Sequence, residues 1–332
     1  MKRILTIVTV LALAGIASAE MTKIGSAGAQ FLKVGVGSKY QAMGEASVAT
    51  VNDVYAMYWN PAGLAAIENG EVGFTNVNWV LDLNLNYVGF AKNFEDIGVF
   101  GVSATVLSMG DQEITTFDQQ EGTGNSYTAS SYAIGLSYAR TLTARFSFGG
   151  TIKFLGERIH QEKSSGLAFD FGTMLHTGFK SLRLGMSISN LGPDLKFSGP
   201  DLSVRYKDPN GTDNGGLVPA ELKSSPYNLP MLFRVGLAYD FEFGPKSKLD
   251  LAAELKHPND NLEQGSIGAE FGYDEKFFLR GGYKFNYSEE GLTLGGGLRT
   301  TLTKDTKLVL DYAWQDLGRL QTAQRFSVGF TF

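Results

Sequence analysis

The chain has 332 residues, a formal net charge of −5 and no cysteine. The lack of cysteine excludes a disulfide framework, and the acidic balance argues against a nucleic-acid partner. Glycine is abundant, with 41 residues, while proline is scarce, with 9, so the composition is neither collagen-like nor typical of a disordered chain. We expect glycine to be used inside ordered structure.

The start of the chain has the layout of a secretory signal peptide, predicted at residues 1–19. Lys2 and Arg3 precede an apolar run, and Ala17, Ser18 and Ala19 form a small-residue cleavage site. The apolar run is shorter than the roughly 20 residues of a membrane-spanning helix, and no later segment reaches that length. If the mature chain enters a membrane, we expect it to do so as strands.

Residues 20–69 form the second predicted region and show no regular alternation of apolar and polar residues. A short helix is expected to begin near Asn52 or Asp53, either of which could be its N-cap. Asn60 and Pro61 predict a turn. Because this region is rich in glycine, alanine and aromatic residues, it is too apolar for a free tail. We expect it to fold as a hatch, or plug, inside the rest of the chain.

The region 70–332 consists largely of segments in which apolar and polar residues alternate, as in strands with two unlike faces. In the last segment Phe326, Val328 and Phe330 alternate with Arg325 and Ser327. Most segments are long enough for the roughly 9–11 residues of a tilted membrane-spanning strand. We predict fourteen strands, at residues 70–79, 82–95, 97–109, 128–142, 144–159, 165–178, 181–191, 228–244, 247–257, 263–274, 276–287, 291–303, 305–316 and 323–332.

The connections between these segments predict the architecture. Tight joints, such as 95–97 and 142–144, alternate with longer ones, such as 109–128, 159–165 and 191–228. This alternation is typical of outer-membrane barrels, which have short periplasmic turns and longer extracellular loops. We therefore predict an all-β fold, a transmembrane antiparallel β-barrel of about fourteen strands with the hatch in its lumen. A soluble β-sandwich is the alternative.

The predicted barrel places the protein in the outer membrane of a Gram-negative cell, in contact with lipid. Its last strand would close against the first, so that no edge with unpaired backbone groups is left in the bilayer. The aromatic Phe332 is similar to the C-terminal signal read by the barrel-assembly machinery, which we expect to be a partner.

The sequence gives little support to an enzyme, and we expect no catalytic residues. It has three histidines, and no nucleophile elbow, metal-binding motif or phosphate-binding glycine loop is present. His176 could face the lumen near Asp170, the one arrangement that would suit a hydrolase. A solvated pair is the simpler interpretation. We expect no cofactor.

Two other features have both a functional and a structural interpretation. The inward-facing charges of the predicted strands could form a polar substrate path, but their mixed signs favour ion pairs that hold wall and plug together. They are Arg234, Asp240, Glu242, Asp250, Glu254, Glu270, Arg280, Lys284, Arg299 and Asp311.

The long stretch 192–227 is expected to form a surface lid or a loop that contacts a partner. Within it Asp208, Asn210 and Thr212 resemble a calcium loop, but Asp213 stands where an EF-hand needs glycine.

One stretch resembles a known family. The run GSKYQAMGEASVATVNDVYAMYWNPAGLA, residues 37–65, is similar to the N-terminal signature of the PorV/PorQ family, which is related to the long-chain fatty-acid channel (FadL) type of barrel. The resemblance implies that Asn60, Pro61 and Ala62 lie in a hatch that blocks the barrel from the periplasmic side. The candidate hatch or ligand residues are Met43, Gly44, Tyr55, Tyr58, Trp59, Asn60, Pro61, Ala62 and Gly63.

The resemblance also implies two different functions. The first is an accessory role in type IX protein secretion, in which the barrel binds a translocon or a secreted cargo. The second is a FadL-like channel, in which a fatty acid or other apolar molecule sits against the hatch. The aromatic and methionine side chains of the hatch could line such a pocket, or they could simply pack the plug against the wall.

Overall fold

A computed structural model describes residues 24–207 and 217–332. The predicted signal peptide and the calcium-like stretch Asp208 to Asp213 lie outside the described residues. Within the described part of the chain, no helix is long and apolar enough to cross a membrane.

The described residues form eighteen strands, fourteen of which close into one antiparallel barrel. The strands in chain order are β1 (Gly70–Asn78), β2 (Asn84–Asn93), β3 (Val99–Ser108), β4 (Gln112–Glu113), β5 (Ser126–Tyr127), β6 (Ala129–Thr143), β7 (Phe146–Ile159), β8 (Glu162–His176), β9 (Arg183–Leu191), β10 (Ser203–Tyr206), β11 (Val218–Glu221), β12 (Leu232–Phe243), β13 (Ser247–Pro258), β14 (Gln264–Tyr273), β15 (Phe277–Phe285), β16 (Leu292–Thr301), β17 (Lys307–Asp316) and β18 (Thr322–Thr331). The pairs β4–β5 and β10–β11 are small separate hairpins.

The barrel closes where the first strand pairs with the last. Thr75 of β1 lies opposite Ser327 of β18, and the antiparallel ladder continues over the length of β1. Each of the fourteen strands therefore has a partner on both sides, which removes the unpaired edges that lipid cannot satisfy. The fourteen-stranded transmembrane barrel predicted from the sequence is confirmed.

The two faces of the wall follow the alternation in the sequence. On β18, Phe326 and Phe330 are exposed on the outer face, whereas Arg325 and Ser327 are buried on the inner one. Large apolar side chains are exposed in the same way on strands all round the barrel. An apolar outer belt is what a hydrocarbon solvent requires. The aromatic face of the last strand therefore faces lipid.

The expected alternation of short and long connections is only partly present. The joint predicted at 159–165 is a two-residue turn, because His160 adopts a left-handed φ of 53° and β8 begins already at Glu162. The difference between the two ends comes mainly from two loops, 109–128 and 192–231. They leave the barrel at the end opposite the start of β1 and the end of β18, which is the extracellular end in outer-membrane barrels.

Residues 24–69, the hatch segment, lie inside the barrel. Its helices are α1 (Ser38–Ala42) and α2 (Ala56–Trp59), with 3₁₀ helices at Gln30–Lys33 and Pro61–Ala66. Helix α2 begins slightly later than expected, because the chain first makes a turn in which the Asp53 carboxylate accepts a hydrogen bond from the Tyr55 amide at 3.0 Å. The segment runs from the extracellular loops, where Gly28 donates to the Asn228 carbonyl, to the start of β1.

Candidate functional site: the hatch segment and its contacts with the wall

The aromatic residues singled out in the sequence form the core of the hatch segment. Trp59 is 0% exposed, and its indole nitrogen donates to the Val36 carbonyl at 2.8 Å. The Tyr58 ring meets Trp59 edge-on, with the ring centroids 4.8 Å apart. Tyr55 reaches the wall, where its hydroxyl donates to the carbonyl of Phe74 at 3.0 Å. These rings contact other protein groups on most of their surface, as core residues do.

Asn60 joins two turns of the hatch segment to the barrel wall. Its side-chain amide donates to the carbonyls of Val48, at 2.7 Å, and of Thr173 in β8, at 3.1 Å. Its oxygen accepts a bond from the Ala62 amide and so caps the 3₁₀ helix that starts at Pro61. An asparagine is needed here because one side chain must both donate and accept.

Glycines of the wall permit the close approach of this turn. A Cβ at Gly149 would stand 2.4 Å from the carbonyl carbon of Pro61, and one at Gly172 would stand 1.9 Å from the Asn60 side-chain oxygen. Gly63, in the hatch segment itself, is similarly close to the Val51 carbonyl, at 2.4 Å. Such distances leave no room for a side chain.

A second close approach lies on another side of the lumen, at Met43 and Gly44. Gly44 has a φ of 68°, and its backbone rests on β14 and β15. A Cβ at Gly268 would stand 2.3 Å from the Met43 carbonyl oxygen, and one at Gly282 would stand 2.3 Å from the Gly44 nitrogen. The glycine content noted in the sequence is thus used where the hatch segment touches the wall.

Buried ion pairs fix the same turn. Glu45 contacts Lys284 at 2.7 Å and Lys256 at 3.3 Å. Burial by itself would raise the pKa of the Glu45 carboxyl, but the two ammonium groups outweigh burial and hold that pKa well below its usual value. Glu254 accepts hydrogen bonds at 2.8 Å from the amides of Ser47 and Val48. At this turn, charged side chains of both signs on the wall therefore bind the hatch segment.

A chain of hydroxyls adds further contacts near β1 and β18. The Ser38 and Ser327 hydroxyl oxygens are 2.8 Å apart, and Ser327 also meets Thr75 at 2.7 Å. Thr75 in turn donates to the Tyr55 hydroxyl at 3.1 Å. The hatch segment is therefore attached to strands on several sides of the lumen.

The space left beside the predicted ligand residues is small. A cavity next to Met57 and Tyr58 has a volume of about 20 Å³, room for roughly one water. Another, on the periplasmic side next to Tyr55 and Asp53, has about 60 Å³. Pockets for small organic ligands usually have roughly 300 Å³ or more. Among the described residues, the aromatic side chains of the hatch segment pack against one another and against the wall, and neither of these two cavities reaches that size.

The chain is similar to known proteins in both sequence and structure. A model of the family described as "Type IX secretion system protein PorV" matches residues 17–204, more than half of the chain. The chain belongs to this family. No curated protein sequence matches it.

Solved structures that resemble this PorV-family chain include outer-membrane channels of the FadL type. The toluene transporter TbuX of Ralstonia pickettii is 14% identical, with a TM-score of 0.55 over 89% of this chain and 97% of that one. The toluene transporter TodX of Pseudomonas putida is 13% identical, with a TM-score of 0.57 over 89% and 97%. A FadL homologue of Pseudomonas aeruginosa is 12% identical, with a TM-score of 0.55 over 90% and 98%. At these identities the likeness shows the fold, an outer-membrane barrel.

One expected pair of residues is absent from this PorV-family barrel. His176 ends β8, whereas Asp170 lies deep in the lumen, where it contacts Lys153 at 2.8 Å and accepts a bond from the Asn190 amide at 2.7 Å. The two residues face the same side of β8 but are six residues apart, roughly 20 Å along a strand. The hydrolase arrangement considered for them is wrong. In residues 24–207 and 217–332 no group of three or more histidine, cysteine or acidic residues could hold a metal ion.

Sequence reasoning missed the partners of Glu45. This residue lies inside the family signature, but Lys284 is 239 residues away. A signal was present, since Lys284 occupies an inward position on an alternating strand and requires a buried partner. The sequence does not say which of several acidic residues meets it.

Proposed function

We propose that this PorV-family barrel is an accessory of protein secretion that binds a secreted cargo or a translocon at its extracellular loops or rim and catalyses no reaction. The observation that carries the proposal is the attachment of the hatch segment to strands on several sides of the lumen. Passage through the lumen would require the buried contacts of Glu45, Asn60 and Ser38 to break. Binding at the outer surfaces requires none of them to break.

The loop 192–231 supports a binding role. Leu195 and Tyr227 exchange backbone hydrogen bonds of 2.9 and 2.8 Å, and Leu195 and Leu229 are buried against the wall, so both ends of the loop are anchored. Between these anchors the β10–β11 hairpin carries exposed Tyr206 and Val218. Apolar side chains grouped on an anchored loop are typical of contact surfaces.

A second candidate is an uptake channel for hydrophobic molecules. The likeness of the fold to TbuX and TodX favours it. This function requires that the hatch segment move, because the cavities beside Tyr55 and Tyr58 are too small for such a ligand as they stand.

The two candidates are separated by native mass spectrometry of the protein, cross-linked in its own outer membrane and extracted gently. We expect it to be recovered with a translocon component or a secreted protein. Recovery alone, with one apolar molecule bound per barrel and lost in Trp59→Ala, would overturn the secretion proposal.

Recognition of Phe332 by the barrel-assembly machinery is part of the same proposal. In a pulse-labelling experiment, the Phe332→Ser variant should reach the outer membrane more slowly than wild type.

A further inference from the structure

A polar cleft lies at the periplasmic end of the barrel, where the first and last strands close. It has a volume of about 320 Å³ and is bordered by Asp53 of the hatch segment, Glu71 of β1, Arg299 of β16 and Thr331 at the end of β18. The cavity of about 60 Å³ beside Tyr55 is a deeper recess of this cleft, because the same four residues border both. The volume of the cleft falls within the range of small-molecule sites. None of the hatch or ligand residues predicted from the sequence borders the larger space.

Charged side chains of both signs border the cleft and its recess without pairing. Lys39, Asp53, Glu71 and Arg299 are all half-buried there. Within residues 24–207 and 217–332, none of the four lies within ion-pair distance of an opposite charge. Arg280, which also borders the recess, contacts two carboxylates of the wall. A charge that has lost part of its hydration ordinarily has such a partner, since its desolvation is costly.

Neutral groups fix three of these charges in place. Asp53 accepts hydrogen bonds of 2.6 and 3.0 Å from a hydroxyl and a backbone amide of the hatch segment. Glu71 accepts one of 2.9 Å from the Val54 amide. The Arg299 guanidinium lies 5.4 Å from the centroid of the Phe278 ring. These contacts hold the two carboxylates and the guanidinium around one cavity and leave their charges uncompensated, as a preorganised binding site requires.

The mixed charge of the cleft selects a ligand that carries both signs. Asp53 and Glu71 would repel a simple anion, and Lys39 and Arg299 would repel a simple cation. An α-amino acid carries an ammonium and a carboxylate group on one carbon. Its ammonium group would donate to the two carboxylates of the cleft, while its carboxylate would accept two hydrogen bonds from the fork of the guanidinium.

We propose that this cleft binds the zwitterionic centre of an α-amino acid, with Asp53 and Glu71 as partners of the ammonium group and Arg299 as the partner of the carboxylate. Two periplasmic sources carry such a centre, namely free amino acids and cell-wall peptides that contain a diamino acid. The ligand enters from the periplasm, at the end opposite the extracellular loops. Binding requires no movement of the hatch segment, and the proposal is independent of the secretion role.

The test is calorimetric titration of the full-length protein, held in amphipol, with meso-diaminopimelate, pimelate and cadaverine. We expect meso-diaminopimelate to bind at least about tenfold more tightly than pimelate, which lacks the ammonium groups, and than cadaverine, which lacks the carboxylates. The cell-wall tripeptide alanyl-γ-glutamyl-meso-diaminopimelate distinguishes the sources, because it keeps one zwitterionic centre of the diamino acid free. Tripeptide binding as tight as that of meso-diaminopimelate supports the site with a cell-wall ligand, and weaker binding supports it with a free amino acid.

Variants test the assigned partners. Arg299→Gln and Glu71→Gln should each weaken binding of meso-diaminopimelate by about tenfold or more. Glutamine at position 71 still offers an oxygen to the Val54 amide, so the contact with the hatch segment is kept. Lys276→Gln is the matched control, because Lys276 is an exposed cation in a turn at the same end of the barrel, and it should leave binding unchanged.

Folding of each variant is checked by the heat-dependent shift of the barrel on gels. If neither variant folds, the comparison of the three small ligands on wild-type protein still decides. The proposal is overturned if wild-type protein does not bind meso-diaminopimelate, if pimelate or cadaverine binds as tightly, or if folded Arg299→Gln or Glu71→Gln binds meso-diaminopimelate like wild type.

Discussion

At the scale of single residues, the barrel wall requires glycine at positions where the hatch segment approaches it closely. Gly149 and Gly150 are neighbours on β7 with opposite surroundings. A Cβ at Gly149 would meet the Pro61 backbone at 2.4 Å, while one at Gly150 would find its nearest atom at 3.5 Å, an ordinary contact distance. The two positions form a matched pair, one facing the hatch segment and the other facing lipid.

We expect Gly149→Ala to destabilise the folded protein by about 3 kcal/mol, because the added methyl group must displace backbone and not a flexible side chain. Gly150→Ala should change the free energy of unfolding little. Urea unfolding of both variants in lipid vesicles, followed by tryptophan fluorescence, measures the difference. Equal stabilities of the two variants would show that the hatch segment does not press on β7 as described.

The sequence could predict part of this residue-level detail. Alternation alone identifies Gly149 as inward-facing, but its closeness to Pro61 depends on how the hatch segment folds, which no periodicity encodes. Likewise, the sequence left open whether Tyr55 and Trp59 line a pocket or pack a plug. In the structure both side chains are buried, and their burial depends on contacts between residues far apart in the chain.

At the scale of elements, the hatch segment is held to β13 and β15 by the ion pairs of Glu45. Because the folded state holds the pKa of Glu45 below its unfolded value of about 4.3, these pairs stabilise the protein above that pH. The stabilisation starts to decrease as the pH falls below the unfolded pKa, because the unfolded chain takes up the proton first, and it is fully lost only below the lower pKa of the folded state. The groups that face Glu45 are Lys284, Lys256 and, at longer range, Arg234.

We expect Glu45→Gln to lower the free energy of unfolding at pH 7 by about 3 kcal/mol, since it leaves buried ammonium groups without part of their compensation. As the pH is lowered, the free energy of unfolding of the variant should also decrease less than that of wild type. Unfolding measured across pH 3–7 tests both effects. Glu289→Gln, which removes a pair with the exposed Arg319, should resemble wild type. If Glu45→Gln keeps the wild-type pH profile, the ion pairs do not hold the hatch segment.

The β10–β11 hairpin gives a second prediction at this scale. The Leu222 amide donates to the Leu202 carbonyl at 2.8 Å, so the two ends of the hairpin are adjacent and a Gly-Ser linker can replace residues 203–221. We expect this deletion to leave the barrel folded but to reduce recovery of the cross-linked partner several-fold. A variant that keeps the hairpin but replaces exposed Tyr206, Leu217 and Val218 by serine should behave in the same way. Unchanged recovery in both would exclude the hairpin as a contact surface.

Elements were predicted better than their connections. All fourteen barrel strands follow from alternation, because each has one face toward lipid and one toward the lumen. The connections were predicted less well, since a residue such as His160 can adopt a left-handed conformation and tighten a turn without any glycine to mark it. The small hairpins β4–β5 and β10–β11 are too short to give a periodic signal.

At the scale of the whole molecule, we propose that the barrel functions with its hatch segment in place. Ser38 of the hatch segment and Ser327 of the wall have hydroxyl oxygens 2.8 Å apart, within reach of a disulfide after replacement of both by cysteine. The chain has no other cysteine, so the engineered pair has no competitor. The replacement changes side-chain size little.

The most direct measurement is therefore export of secreted proteins by native cells that carry Ser38→Cys/Ser327→Cys, compared under oxidising and reducing conditions with the two single variants. We predict that the disulfide forms and that export continues at the wild-type level, because the proposed function does not require the hatch segment to move. Export that stops on oxidation and returns on reduction, in the double variant alone, would contradict the account and show that the hatch segment must open.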